Sequence, residues 1–230
     1  MTVRIAPSVL SADFMNMGAE LERIRSAEFA HVDIMDQNFV PNLTFGLSMV
    51  EQIKKVSPIP LDVHLMIEDP DRWAPIYTEA GADMITFHAE AVRGPVRLAR
   101  ECRRLGARAG VAMAPGTSLE PFLDILHAFD VILLMTVEPG FGGQPFVEGT
   151  LAKIRRLRDA VGRSGQDLWI EIDGGVNAET IERAAEAGAD VFVAGSSVFG
   201  PGDIEGRIAE LRELAERGHA HGHPHWARPA

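Results

Sequence analysis

The chain has 230 residues, of which 46% are hydrophobic and 24% charged, and its net charge at neutral pH is −11. That length suits one large α/β domain with a substantial core, and the acidity argues against nucleic acid as a partner, since a duplex needs a basic face. No apolar run approaches the roughly 20 residues of a membrane helix, so no membrane span is expected.

The chain opens on a short strand (Val3 to Ala6) with no charged and then apolar leader, so no secretory signal is expected. Cys102 is the single cysteine. It forms no intrachain disulfide, fits a reducing cytoplasm, and reads as a packed or surface thiol in a helical pattern without a His partner.

Apolar runs alternate with amphipathic stretches. In chain order, strands are expected at Val3–Pro7, Phe29–Ile34, Leu61–Met66, Met84–His88, Ala109–Met113, Val131–Met135, Leu168–Ile172 and Val191–Ala194. Helices are expected between and after them, at Glu20–Ala27, Ser48–Val56, Arg72–Ala80, Val96–Leu105, Ser118–Ala128, Val147–Val161, Ala178–Ala187 and Ile204–Arg217. Three helix-to-strand junctions carry a glycine (Gly81, Gly106, Gly188) placed as a left-handed cap. Strict alternation, one unit per roughly 29 residues, predicts an α/β (β/α)8 barrel over residues 1–217. An open doubly wound sheet competes, but no Gly-x-Gly-x-x-Gly follows the first strand. Residues 218–230, with His219, His221, His223 and His225 among glycines and prolines, are expected to form a flexible tail outside the chemistry.

In a strand, side chains two apart share a face. The run Ala30–Asp36 therefore points His31 and Asp33 to one side, Leu61–Met66 places His64, and Leu168–Ile172 delivers Asp173 into Gly174-Gly175. In a barrel these strand ends converge. Two imidazoles and two carboxylates form a plausible site for one divalent metal: Zn²⁺ suits them, and Fe²⁺, Mn²⁺ or Co²⁺ also fits. The two aspartates can also move protons. His88 is expected to line or support the pocket, and His127 to be structural or exposed. Met35, Met66, Met113 and Met135 fall near strand ends, where a polarisable, non-titrating lining would shield a carbanionic intermediate. Glycine-rich turns at Gly140–Gln144, Gly174-Gly175 and Gly195–Ser197 follow the late strands, where barrels commonly hold phosphate. The three lysines, Lys54, Lys55 and Lys153, lie in helical stretches, which excludes a Schiff-base mechanism.

From Ile5 to about Gly200 the chain resembles the ribulose-5-phosphate 3-epimerase family. The motifs are Ala6–Asp13, His31–Asp36, Phe39–Asn42, Leu61–Met66, Met135–Gln144 and Glu171–Val176. The resemblance implies a metal-dependent (β/α)8 isomerase with His31, Asp33, His64 and Asp173 as ligands and Asp33 and Asp173 as the proton-transferring pair. It implies Ser8 and His64 as substrate contacts and Met35, Met66 and Met135 as a cap. The phosphate cradle would be Gly142, Gly143, Gly174, Gly175, Gly195 and Ser196. The implied reaction interconverts D-ribulose 5-phosphate and D-xylulose 5-phosphate in the cytoplasmic pentose phosphate pathway, with Lewis-acid help from the metal, in a homo-oligomer. Two departures stand in loops: Gln37-Asn38 where the family usually has Gly-His, and Ala114 where Asn or Lys is common. They keep open a sister 3-epimerase acting on allulose 6-phosphate or a tetrulose phosphate. A related lyase or decarboxylase barrel would need Asp-x-Lys-x-x-Asp, and the lysine is absent here. A non-catalytic sugar-phosphate binder would not need the intact aspartate pair.

Overall fold

A computed structural model of the chain describes residues 2–222. Eight parallel strands make one sheet: β1 (Arg4–Pro7), β2 (Ala30–Met35), β3 (Leu61–Met66), β4 (Met84–His88), β5 (Arg108–Met113), β6 (Val131–Met135), β7 (Trp169–Asp173) and β8 (Val191–Ala194). Strands β2 to β8 pair in chain order and β8 returns to β1. A parallel bridge between Ser8 and His31 draws β1 onto β2. The sheet thus curls into the (β/α)8 barrel, and the doubly wound alternative falls away. Every residue of β2, β3, β4 and β6 is buried, because one face lines the barrel and the other lies under helices.

The outer ring is α1 (Met17–Arg23), α2 (Leu47–Val56), α3 (Pro70–Glu79), α4 (Pro95–Arg104), α5 (Glu120–Leu123), α6 (Thr150–Ser164), α7 (Ile181–Ala187) and α8 (Ile204–Gly222). Proline starts α3 and α4 at their first residue, where its missing N–H costs nothing. The three junction glycines all have positive φ. Gly188, at +113°, donates its N–H back to the Ala184 and Ala185 carbonyls and ends α7.

Helix limits shift by a few residues, α6 and α7 starting three later than expected, and three differences have a visible cause. Asp13 caps a 3-10 turn at Phe14–Asn16 that runs straight into α1, so α1 starts and ends earlier than Glu20–Ala27. The expected Ser118–Ala128 helix is α5 followed by a 3-10 turn at Leu126–Ala128. Tighter bonds from Ile125 to Phe122 and from Ala128 to Ile125 bury Phe122, Leu126 and Phe129 within a short span. Finally, α8 does not stop at Arg217. Residues 218–222, assigned to the tail by composition, continue the helix because Gly218 lets α8 lie against α7: an added Cβ would sit 2.1 Å from the Glu182 carbonyl oxygen. His219 then bonds the Ala189 carbonyl through Nε2 at 2.6 Å. His223 and His225 lie outside the described residues.

Candidate metal centre and active site

The β2–β3 register sets Asp33 beside His64 and Met35 beside Met66, while β7 ends on Asp173 from the other side of the barrel. One atom each of His31, Asp33, His64 and Asp173 falls within 4.8 Å of all the others. His31 Nε2 lies 3.4 Å from Asp33 Oδ1 and 3.9 Å from Asp173 Oδ2. His64 Nδ1 lies 3.5 Å from each of the same two oxygens. Both nitrogens are buried and lack a hydrogen-bond partner. A buried polar atom without a partner costs free energy, and here two of them face two carboxylates. That N2O2 set fits a single divalent cation.

The electrostatics match. Burial alone would lift the Asp33 carboxyl, but the His31 imidazole and then the His64 imidazole beside it hold it far below the usual carboxylate range. Burial would lower both histidines, yet the carboxylates outweigh it. Asp62 and Asp33 raise His31 well above its ordinary value, and Asp173 and Asp33 raise His64.

Two further acids stand one layer deeper. His31 Nδ1 meets Asp62 Oδ2 at 2.5 Å and lies 3.8 Å from Glu171 Oε1. Asp62 and Glu171 are fully buried, and burial with the Asp62 charge pushes the Glu171 carboxyl well up. The sequence reading passed over both. The period of two was the available signal, since Asp62 precedes His64 and Glu171 precedes Asp173 as His31 precedes Asp33. His88, buried at the end of β4, faces His64 rather than the four-ligand centre, with the two Nε2 atoms 3.0 Å apart. His127 is exposed.

Above the cluster opens a cavity of about 280 Å³. Ser8, Asp33, Met35, Met66, Met135 and Asp173 line its floor and walls. Ser8 Oγ donates to Asp33 Oδ2 at 2.6 Å, leaving Oδ1 for the histidines. His31 and His64 are closed off beneath, with no exposed surface. Met113 is a correction: it belongs to the core between sheet and helices, because Ala112 takes the inward place on β5.

The three glycine turns meet on this cavity. Gly142, Gly143, Gly174, Gly175, Gly195 and Ser196 all line it. Ser11, Phe141, Gln144, Asn177 and Ser197 do too, and sequence reasoning missed them. Ser11 was visible within the Ala6–Asp13 motif, and Gln144 and Ser197 within the glycine turns. Hydroxyls stitch the loops together. Thr136 Oγ1 donates to the Asp173 and Gly174 carbonyls at 2.9 and 2.5 Å, and Ser197 Oγ donates to the Val176 carbonyl at 2.7 Å. Gly174 cannot carry a side chain, for its φ is +118° and a Cβ would sit 2.4 Å from Val137 Cγ2.

The departing residues lie elsewhere. Gln37, Asn38 and Ala114 are not among the cavity's lining residues, so the sister-substrate reading gains no support from them. Lys54 pairs with Asp83 at 2.6 Å, Lys153 bonds loop carbonyls, and no lysine lines the cavity. Cys102 is buried in the core, which pushes its thiol up to about 11.

Residues 4–199 match the model of the ribulose-phosphate 3 epimerase family. The "Ribulose-phosphate 3-epimerase" of Mycobacterium tuberculosis strain H37Rv is 54% identical over 211 residues, covering 92% of each chain. That of Bacillus subtilis strain 168 is 44% identical over 213 residues, covering 91% of this chain and 98% of that protein. In fold alone the chain is also similar to the crystal structure of KGPDC from Streptococcus mutans, with a TM-score of 0.69 at 13% identity over 94% of this chain and 99% of that one. Shared barrel, near-full coverage and high identity converge, and the chain belongs to the ribulose-phosphate 3-epimerase family.

Proposed function

We propose that the protein is an isomerase that interconverts D-ribulose 5-phosphate and D-xylulose 5-phosphate. The observation that carries this reading is the pair Asp33 and Asp173, on strands from different parts of the barrel, both bordering the cavity and both facing the same two unpartnered imidazole nitrogens. His31, Asp33, His64 and Asp173 are the residues that would hold the divalent ion. Zn²⁺ is our choice from the nitrogen and oxygen donors, with Fe²⁺, Mn²⁺ and Co²⁺ as the other fits. When bound, the ion supplies Lewis-acid polarisation of the ketose oxygens, which acidifies the C3 proton.

The chain's own residues do the rest. Asp33, kept ionised, takes the C3 proton from one face of the sugar. Asp173, carrying a proton at that moment, returns one to the opposite face, and the planar carbon between them inverts. The reverse reaction exchanges the roles. Ser8 fixes the Asp33 carboxylate through Oδ2. Met35, Met66 and Met135 exclude water without offering a proton. Gly142, Gly143, Gly174, Gly175, Gly195 and Ser196 form the phosphate cradle, which needs close backbone approach rather than net positive charge.

We further propose a cytoplasmic homo-oligomer acting in the pentose phosphate pathway. Exposed Phe14 packs edge-on against Phe45 at 4.9 Å, and Phe45 shares a groove with exposed Leu43, an apolar surface of the kind copies cover. No described helix is long and apolar enough to cross a membrane.

The test is solvent exchange. With Zn²⁺ or Fe²⁺ in D₂O, ribulose 5-phosphate should yield the xylulose epimer carrying deuterium at C3. Asp173→Asn should lower the rate by roughly 100-fold or more while the barrel stays folded by circular dichroism. Near wild-type turnover in that variant would remove Asp173 from the acid/base pair. No exchange by the metal-loaded wild type would overturn the reading.

A further inference from the structure

From the geometry we infer that Glu90, outside the ligand set, is a positioning residue that sets the proton on His64 through His88 and so keeps His64 Nδ1 free for the cation. This rests on the reading of His64 as a ligand given above.

Four groups stand in line. His64 Nδ1 faces Asp33 and Asp173, and its Nε2 lies 3.0 Å from His88 Nε2. The other nitrogen of His88, Nδ1, lies 3.0 Å from Glu90 Oε2. The second carboxylate oxygen, Glu90 Oε1, accepts the Ala114 backbone N–H at 2.8 Å and also the Thr117 hydroxyl. His64 and His88 are fully buried, so no bulk water relieves a wrong proton.

The polarity of this line is determined from its outer end. Two facing imidazole nitrogens bond only if one carries the proton and the other does not. A carboxylate accepts and does not donate. Burial would lift the Glu90 carboxyl, but hydrogen bonds from His88, Thr117 and Ala114 bring it down to about 2, so it is ionised at neutral pH. His88 must then present Nδ1–H to Glu90, which leaves its Nε2 bare. His64 must donate Nε2–H to that bare nitrogen, so in the neutral ring Nδ1 is the one left without a proton. The alternative places a proton on His64 Nδ1, the atom that faces the carboxylates of the centre. An outer partner that fixes a ligand's tautomer is the usual second layer of a metal site.

The anchor is rigid. Lys153, reaching from α6, donates to the carbonyls of Ala114, Pro115 and Thr117 at 3.0, 2.7 and 2.7 Å. It holds the loop after β5 so that the Ala114 N–H points at Glu90. A backbone N–H has no second tautomer.

That rigidity yields a discriminating test. In Glu90→Gln the amide oxygen is drawn to the fixed Ala114 N–H, and the NH₂ group turns to His88. His88 then accepts at Nδ1 and carries its proton on Nε2, against His64. In Glu90→Ala three hydrogen bonds are lost, but nothing forces the wrong proton. If Glu90 acts only as structure, Ala is the more damaging change; if it sets the proton, Gln is.

The experiment measures Zn²⁺ affinity by chelator competition and His88 tautomer by ¹⁵N NMR on metal-free protein, read at the alkaline end of a pH titration where His64 is neutral, with His64→Ala as control. We expect His64→Ala to lose the metal. Glu90→Gln should weaken Zn²⁺ by roughly 10- to 100-fold and move the His88 proton from Nδ1 to Nε2. Glu90→Ala should weaken it less. An unmoved His88 proton in Glu90→Gln, or a larger loss of affinity in Glu90→Ala, would overturn the role of Glu90 while leaving His64 a ligand. Wild-type affinity in His64→Ala would instead remove His64 from the ligand set, and the role of Glu90 with it.

Discussion

Gln37 is the one described non-glycine residue with positive φ, at 61°. A left-handed backbone costs an ordinary L residue about 1–2 kcal/mol, and this is where the resembled family usually has glycine. The turn keeps the shape a glycine would give it: Gln37 N–H bonds the Asn42 carbonyl at 2.9 Å, and Asp36 accepts the N–H groups of Asn38, Phe39 and Glu68. Gln37→Gly should therefore stabilise the fold by up to about 1 kcal/mol, the relief being offset in part by the greater chain entropy of glycine when unfolded. Urea unfolding checks this, and a loss of stability would show that the Gln37 side chain contributes something the backbone geometry does not reveal. Cys102, buried and with its thiol raised to about 11, should resist iodoacetamide in the native protein and react once unfolded. Native-state labelling at the unfolded rate would mean that α4 opens readily.

At the scale of elements, the strands were legible because a buried parallel strand is a short apolar run with few alternatives. The four proposed ligand residues were legible because each breaks such a run near its carboxyl end. Asp62 and Glu171 break the same runs one step earlier, and reading them demands that the period of two be followed down the strand as well as up. The Glu90 line was not legible, since it joins β4 to the loops after β5 through contacts that no local pattern encodes. Helix limits failed where capping or tighter turns intervene, as at Asp13 and Ile125. The loops after β6 and β7 carry their own prediction. Gly174→Ala meets both a φ of +118° and Val137 at 2.4 Å, whereas Gly143→Ala, at φ +73°, meets nothing within 4 Å. Gly143→Ala should cost only the backbone strain of about 1–2 kcal/mol. Gly174→Ala should cost more and also lower kcat/KM, because the Thr136 bond to its carbonyl holds the cavity wall. Equal losses in the two variants would mean that Val137 yields without consequence.

For the whole molecule, the proposed metal centre should make stability a function of both pH and cation. In the metal-free protein His31 and His64 are raised above their ordinary value of 6.5 by the carboxylates around them. A group raised on folding contributes stability that is fully present below its unfolded value and is lost as pH rises through its folded value. The apo barrel should therefore weaken as pH climbs above neutrality, when the two protons leave Asp33 and Asp173 facing each other without compensation. A divalent cation takes the place of those protons, and its affinity rises over the same range because binding needs both imidazoles bare. The two trends reinforce each other: the cation stabilises most where the apo protein is weakest. The rise in Tm on adding Zn²⁺ should be small at pH 6 and grow steadily toward pH 9, measured by scanning calorimetry against an EDTA-treated sample. His64→Ala should flatten that dependence, since it removes one competing proton and one ligand together. A Tm increment independent of pH would mean that protons and cation do not share the cluster, and that the two unpartnered nitrogens face the carboxylates for another reason.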